Sequence, residues 1–422
     1  MTECCDSATC RNPFHPTEDA TIASKKMLPK AKYNFAAIPS LRMNKMLHLA
    51  VENCKGTMFF CCALWFYSLN RSDFIGLPVA LLLIILVVGS AQAETWRLQT
   101  WSVPFDYSSN SRFINYKPTK AASRVWHLCI AYPHLKDAYW LNVNFGMVQE
   151  ARRLGVAFTL VEAGGYLNVE RQRQQIEQCT AEGADALIVG PVSFRGLNEA
   201  ITEIAKSMPV LATVNDIENI GITAKSGVSW ITMGRKAGEY LAMRHPSGSD
   251  PVTVAWFPGP PGAGWVEFIE VGFKLGLVGS AVKIVVTKWG DTGKEIQRTL
   301  VQEVLESHPD VDYIVGNALM AEAAISTLLN RKLEDKIKVV STYFTPAVYR
   351  GIRRGRILAA PDDSPVMQGR ISIDQAVRIL EGRSFFKHVG PQIHVVDEDN
   401  WQDINMSNSL APPSFLPAFV WP

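Results

Sequence analysis

From Trp126 onward, short apolar runs alternate with amphipathic stretches at helical spacing. The runs WHLCIAY, VAFTLVEA, ALIVG and VLATV are separated by helical patterns at Leu141–Leu154, Val169–Ala181 and Leu197–Lys206. Apolar strands that alternate with helices predict βαβ crossovers and a parallel sheet covered on both faces. The rhythm pauses over Asn215–Val228 and resumes with a helix near Trp230–Arg244. Strands VTVAWF, VKIVVTK, YIVG and IKVVSTY follow, with helices between them. The last part, from Ile357, adds a strand ILAA, a helix over Val366–Leu380 and a strand near Gln392–Val396. The pattern predicts an α/β fold of two doubly wound halves of similar size. Repeated crossings join them, and a central cleft lies at the carboxyl ends of the strands.

Upstream of this pattern lies an uninterrupted apolar run, FIGLPVALLLIILVVG (Phe74–Gly89), followed by SAQA before Glu94. A short hydrophobic region ending in Ala-x-Ala reads as a secretory signal cleaved after Ala93. The competing reading is an uncleaved anchor, for which the run is slightly short of the roughly 20 residues that span a bilayer. Residues 1–73 are long and mixed for a signal n-region and carry a second apolar burst at Met58–Tyr67; Met43, Met46 or Met58 are candidate starts. The expected organisation begins with an N-terminal extension (1–73), a signal region (74–93) and a mature N-terminal segment (94–125). A first lobe takes 126–226 and 345–385, a second takes 227–344 and 386–396, and a tail covers 397–422.

Charge and cysteine usage narrow the picture. The 422 residues carry a formal net charge of +2, so no global bias toward nucleic acid exists. Cleavage after Ala93 would leave Cys129 and Cys179 as the mature cysteines, a pair that an oxidising compartment allows but that sequence alone neither joins nor separates. The Cys-rich start lacks the His spacing of a zinc site, so no metal is expected.

The chemistry of the strand-end loops points to binding. FPGPPGAGWVEF is Gly-rich but matches neither phosphate-loop pattern, and reads as a tight β-to-α turn. Neither G-x-S-x-G nor H-E-x-x-H occurs, so no catalytic residue is nominated and no cofactor is expected. The basic run Arg350–Arg356 reads as a solvated helix end. The loops are rich in aromatics instead: Tyr132, Tyr139 and Trp140 with Asp137 in YPHLKDAYW, then Tyr166, Trp230, Trp265 and Tyr343. Each ring alone reads as core; as a convergent group with one carboxylate they suit a small molecule with a methylated, cationic centre.

The segments RVWHLCIAYPHLKDAYWLNVNFGMVQEARRLGV, EAGGY, GADALIVG, GVSWITMG, PGPPGAG and VVSTYFTPAVYRGIRRGRI resemble the TorT family, periplasmic proteins of trimethylamine N-oxide (TMAO) respiration. The likeness runs from about Trp96 to past Val396 in one order, with residues 1–70 outside it. It implies the type I periplasmic binding protein fold, TMAO as ligand, and the periplasmic sensor domain of a TorS-type histidine kinase as partner. It also implies an aromatic box with an acidic residue: Asp137 and Trp140 in KDAYW, Trp230 in GVSW and Tyr343 in STYF. Tyr349 in VYRG competes with Tyr343 for the last place. Tyr132, Tyr139, Tyr166, Trp265 and Asn317 are expected to line or back the pocket. The alternative function is the solute-binding component of an ABC importer for a sugar or methylated osmolyte. A membrane-anchored receptor and an enzyme stand behind it.

Overall fold

The computed structural model describes residues 94–422, which lie within one compact unit. The expectations for 1–73 and 74–93, including the signal region and its cleavage site, lie outside the described residues. The strands, in chain order, are β1 (Trp96–Trp101), β2 (Ser111–Tyr116), β3 (His127–Tyr132), β4 (Ala157–Glu162), β5 (Ala186–Val189), β6 (Val210–Thr213) and β7 (Ala224–Ser226). They continue with β8 (Val252–Phe257), β9 (Val282–Thr287), β10 (Tyr313–Gly316), β11 (Lys338–Ser341), β12 (Ala359–Asp362), β13 (His388–Gly390), β14 (His394–Asp397) and β15 (Val420–Trp421). The α-helices are α1 (Ala138–Leu154), α2 (Val169–Ala181), α3 (Asn198–Ile204), α4 (Trp230–Arg244), α5 (Gly264–Gly276), α6 (Lys294–Ser307), α7 (Ala318–Arg331), α8 (Pro346–Arg353) and α9 (Pro365–Leu380).

Two lobes form, each around a parallel sheet. The first sheet runs β15-β4-β3-β5-β6-β7-β13-β1-β2, and the second β11-β10-β8-β9. The first is parallel from β4 through β13 and antiparallel at both ends. Strands β3, β5, β6 and β7 are buried almost throughout, as helices on both faces of a sheet require. The two main sheets therefore differ in size, with nine strands against four, and β12 and β14 form a separate two-stranded sheet. The surplus comes from edge strands that no βα period announces.

Three of the expected boundaries move. Residues 94–125 are part of the first lobe, because β1 and β2 form a hairpin on its sheet through β13. The stretch 386–396 is split: β13 pairs with β7 in the first sheet, whereas β14 pairs antiparallel with β12. Residues 345–362 pack on the second lobe, since Leu358 N–H donates to Val339 O at 2.9 Å and Tyr240 O–H to Leu358 O at 3.3 Å. Only α9, which packs along α1, returns to the first lobe. The chain thus crosses between lobes at 226–230, 362–365 and 390–394. A three-residue strand such as β13 carries too little pattern to reveal its partner, which long-range pairing decides.

Close backbone contact locks the helix pairs. A Cβ on Gly146 of α1 would overlap the Val366 carbonyl of α9, and one on Gly369 would overlap the Val143 carbonyl. The Cys129–Cys179 pair, left open by the sequence, is a disulfide that staples β3 to α2 with Cα atoms 5.9 Å apart. The tail covers a sheet edge: β15 pairs with β4, and Asn144 holds both the Ala418 N–H (2.9 Å) and its carbonyl (3.1 Å).

Candidate functional site

In the first sheet the chain leaves β3 toward β4 on one side and later continues from β5 on the other. That is a topological switch point, where open α/β sheets form a crevice outside the strands' carboxyl ends. The loop after β3, Pro133–Asp137, lies there and leads into α1. Asp137 is the N-cap of α1; its Oδ1 accepts the Tyr139 N–H at 2.9 Å. This is the ordinary duty of an aspartate at a helix start. Its second oxygen does something further: Oδ2 accepts the Tyr343 O–H at 2.8 Å, from the loop after β11 in the second lobe. A capping residue therefore joins the lobes across the cleft.

Around this carboxylate the rings close up. Tyr139 and Tyr343 meet edge to face at 5.4 Å, and Tyr139 lies 6.0 Å from Trp140 and 6.3 Å from Trp230. Trp265 lies 5.3 Å from Trp230, 6.0 Å from Tyr343 and 5.9 Å from Tyr166. These rings, with Asp137, Asn215 and Thr292, line a tight cavity of about 10 Å³, on the scale of a single water molecule. Each of the rings is under 8% exposed, so the space is shut from solvent on nearly every side.

The hydrogen-bond inventory of the walls is uneven. Trp140 Nε1–H donates to the Tyr166 hydroxyl at 3.3 Å, and Asn215 Nδ2 donates to the same oxygen at 3.2 Å. Trp230 Nε1–H donates to Val214 O at 3.1 Å. Val214 itself holds a φ of 61°, a left-handed conformation costly for a β-branched residue and characteristic of functional sites. Trp265 Nε1–H is buried without a partner among the described residues. The Tyr166 hydroxyl oxygen accepts two bonds and donates none among those described.

Burial sets the electrostatics. Desolvation pushes the Asp137 carboxyl up from 3.8 to about 6, against the two hydrogen bonds that favour its ionised form. His134, whose Nε2 lies 3.0 Å from Thr292 Oγ1 across the cleft, is held down to about 4 by burial, with Lys136 adding to the effect. Lys136 makes a more exposed bridge of 2.8 Å to Asp291 of the second lobe. At neutral pH the cavity therefore presents one carboxylate and neutral rings, an environment that attracts a cationic centre.

Asp137, Trp140, Trp230 and Tyr343 come together on one cavity, as do Tyr139, Tyr166 and Trp265. Tyr132 does not line it; its ring packs 4.6 Å from Trp140 and its hydroxyl meets Met147 Sδ at 2.9 Å, so it backs the wall. Asn317 lies outside, capping α7 through the Met320 N–H at 2.9 Å and bonding Gln297 at 3.1 Å. Tyr349 packs on Phe344 and Trp401, away from the cavity. Sequence reasoning missed Asn215 and Thr292. Asn215 sits just past the end of β6, the strand-end position where the rule for open sheets would have looked. Thr292 precedes a helix by sequence but reaches the cleft only through lobe closure. Among the described residues no cluster of His, Cys, Asp or Glu could hold a metal.

Comparison with known proteins agrees with this architecture. Residues 128–384 match the model of the periplasmic binding protein domain, and the chain belongs to that family of two-lobed binding proteins. Within it, the periplasmic protein TorT of Escherichia coli K12 is 40% identical over 302 residues, 71% of this chain and 86% of TorT. The crystal structure of a TorS sensor domain–TorT complex in the presence of TMAO contains a chain 40% identical to this one. It covers 70% of this chain and 99% of its own, with a TM-score of 0.65. An ABC transporter solute-binding protein from Bradyrhizobium sp. BTAi1, solved with bound Bis-Tris, is 48% identical. That match covers 78% of this chain and all of the other, with a TM-score of 0.68.

Proposed function

We propose that this protein binds trimethylamine N-oxide in the inter-lobe cavity and relays its presence to the sensor domain of a TorS-type histidine kinase, inducing TMAO respiration. One observation carries the reading: a closed aromatic cavity lined by a single buried carboxylate, with the Trp265 indole N–H of its wall unpaired among the described residues. TMAO has complementary parts, a methylated, formally positive nitrogen and a negative oxygen. Ring faces receive the methyls, each contact worth about 0.5–2 kcal/mol when desolvated. Asp137, ionised at neutral pH, faces the nitrogen, and Trp265 Nε1–H with the Tyr166 hydroxyl receives the oxygen. Trimethylamine lacks the oxygen and leaves that donor pair unsatisfied, a penalty that gives selectivity. The site uses no covalent step.

The kinship to TorT and the TorS sensor domain–TorT complex support the partner. Ligand held among rings from both lobes favours the closed arrangement, and a sensor domain that prefers one arrangement reads that shift. The reading includes export to the periplasm by a signal cleaved after Ala93; sequencing the N-terminus of protein recovered from the periplasm tests it, Glu94 being the expected first residue.

Calorimetric titration of TMAO into the purified protein, alone and with the sensor domain, tests the proposal, with ribose and trimethylamine as controls. Saturable heat with TMAO and its loss in Trp140→Ala are expected; silence in both settings, or a stronger response to ribose, refutes it. A second reading, the solute-binding component of an importer, draws on the 48%-identical ABC transporter solute-binding protein solved with Bis-Tris. It predicts saturable binding of an amine polyol and none of the sensor domain.

A further inference from the structure

Where the chain leaves the second lobe for the first, between the end of β12 at Asp362 and the start of α9 at Pro365, two carboxylates are buried side by side. Asp362 stabilises the turn: its Oδ1 accepts the Ser364 N–H at 3.0 Å and its Oδ2 the Ser409 O–H at 2.6 Å. Ser364 holds a φ of 52°, a left-handed conformation unfavourable for a side chain with a Cβ. Asp363 points elsewhere. Its Oδ2 accepts the Tyr139 O–H at 2.6 Å and the Gln368 Nε2–H at 2.7 Å, and Gln368 also donates to the Asp363 carbonyl at 2.9 Å. The other oxygen, Oδ1, is buried without a partner among the described residues, as is Gln368 Oε1.

This is a costly way to hold a tyrosine. Burial, with the neighbouring Asp362 charge adding to it, pushes the Asp363 carboxyl up to about 7, and an apolar packing of the same volume is commonly no less stable than a buried charge. What the carboxylate adds is direction. The Tyr139 ring stands in the cavity wall against Tyr343, Trp140 and Trp230, and its hydroxyl is fixed to a crossover between lobes. Rotation of the backbone at 362–364 moves Oδ2 relative to α1, whereas α1 and α9 are held together by the contacts at Gly146 and Gly369.

We infer that Asp363 is a positioning residue that orients the Tyr139 ring from the hinge, so that the cavity wall is complete only in the closed arrangement. The inference rests on the reading of the cavity as a TMAO site.

A double-mutant cycle on the purified protein tests it, read by TMAO titration. Tyr139→Phe and Asp363→Ala are each expected to weaken TMAO binding about 10-fold, the scale of a hydrogen bond to a charged group. The double variant is expected to lose about as much as either single one, because both remove one link. Asp363→Asn, whose amide oxygen still accepts the tyrosine proton, is expected to stay within about 3-fold of wild type, since it keeps the bond without the charge. Additive losses near 100-fold in the double variant, or Asn faring no better than Ala, overturn the inference. Tyr139→Phe leaves the ring in place, so unchanged affinity in that variant overturns it even where Asp363→Ala fails to fold. Wild-type binding with additive losses sinks the inference alone; a wild type that takes up no TMAO sinks both, there being then no ligand wall to orient.

Discussion

Replacing Asp137 by Asn is expected to weaken ligand binding and, at neutral pH, to stabilise the protein. The carboxyl is 3% exposed, and its pKa rises from 3.8 to about 6 because burial penalises the charge. Below pH 4 the group is protonated in folded and unfolded chains alike and costs nothing. Between pH 4 and 6 the folded chain keeps its proton while the unfolded chain loses it, so stability falls as pH rises. Above pH 6 the full penalty stands, about 3 kcal/mol from the size of the displacement. Asparagine keeps the helix cap, since Asn caps as well as Asp, but its bond with Tyr343 loses the charge, returning about 1 kcal/mol. The net gain is about 1–2 kcal/mol, or a melting midpoint higher by about 1–3 °C for a chain of this size. Differential scanning calorimetry of both proteins at pH 7.5 and below pH 4 checks it. The gap should appear at the higher pH and close, or reverse, at the lower. Asp362 and Asp363 titrate in the same range, so each comparison is made against wild type at the same pH. TMAO affinity should drop about 10-fold or more, the carboxylate being the cavity's one charge facing the nitrogen. A variant less stable than wild type at pH 7.5 with unchanged affinity would show that Asp137 serves only the fold.

Other outcomes follow from the packing. Cys129→Ser opens the disulfide across a separation of 50 residues; chain entropy sets the expected loss at about 4 kcal/mol, measurable as a lower midpoint in urea. Gly146→Ala drives a methyl into the Val366 carbonyl, so α1 and α9 must part at a cost of about 1–3 kcal/mol, and the thermal midpoint should fall. Lys136→Met breaks the bridge to Asp291, yet the lysine side chain is 40% exposed; TMAO affinity should change less than about 3-fold by calorimetry.

The sequence by itself determined the class of fold and the chemistry of the pocket. Alternation of apolar runs with amphipathic stretches fixes βαβ order locally, because a buried parallel strand must be apolar on both faces. The clustering of Asp137, Tyr139 and Trp140 directly behind the first such strand is enough to mark one wall of the cavity. Tertiary structure decided what depends on distant partners. The short strand β13 could join either sheet by pattern, and the hairpin of β1 and β2 placed it in the first. Asn317 and Thr292 each precede a helix by sequence, but only Thr292 reaches the cavity; Asn317 is consumed by the cap of α7. The same limit applies to Asp363, which lies 224 positions from the tyrosine it holds. Periodicity reports the face a residue presents, whereas meeting across a cleft depends on how the lobes close, a property of the assembled backbone rather than of any local pattern.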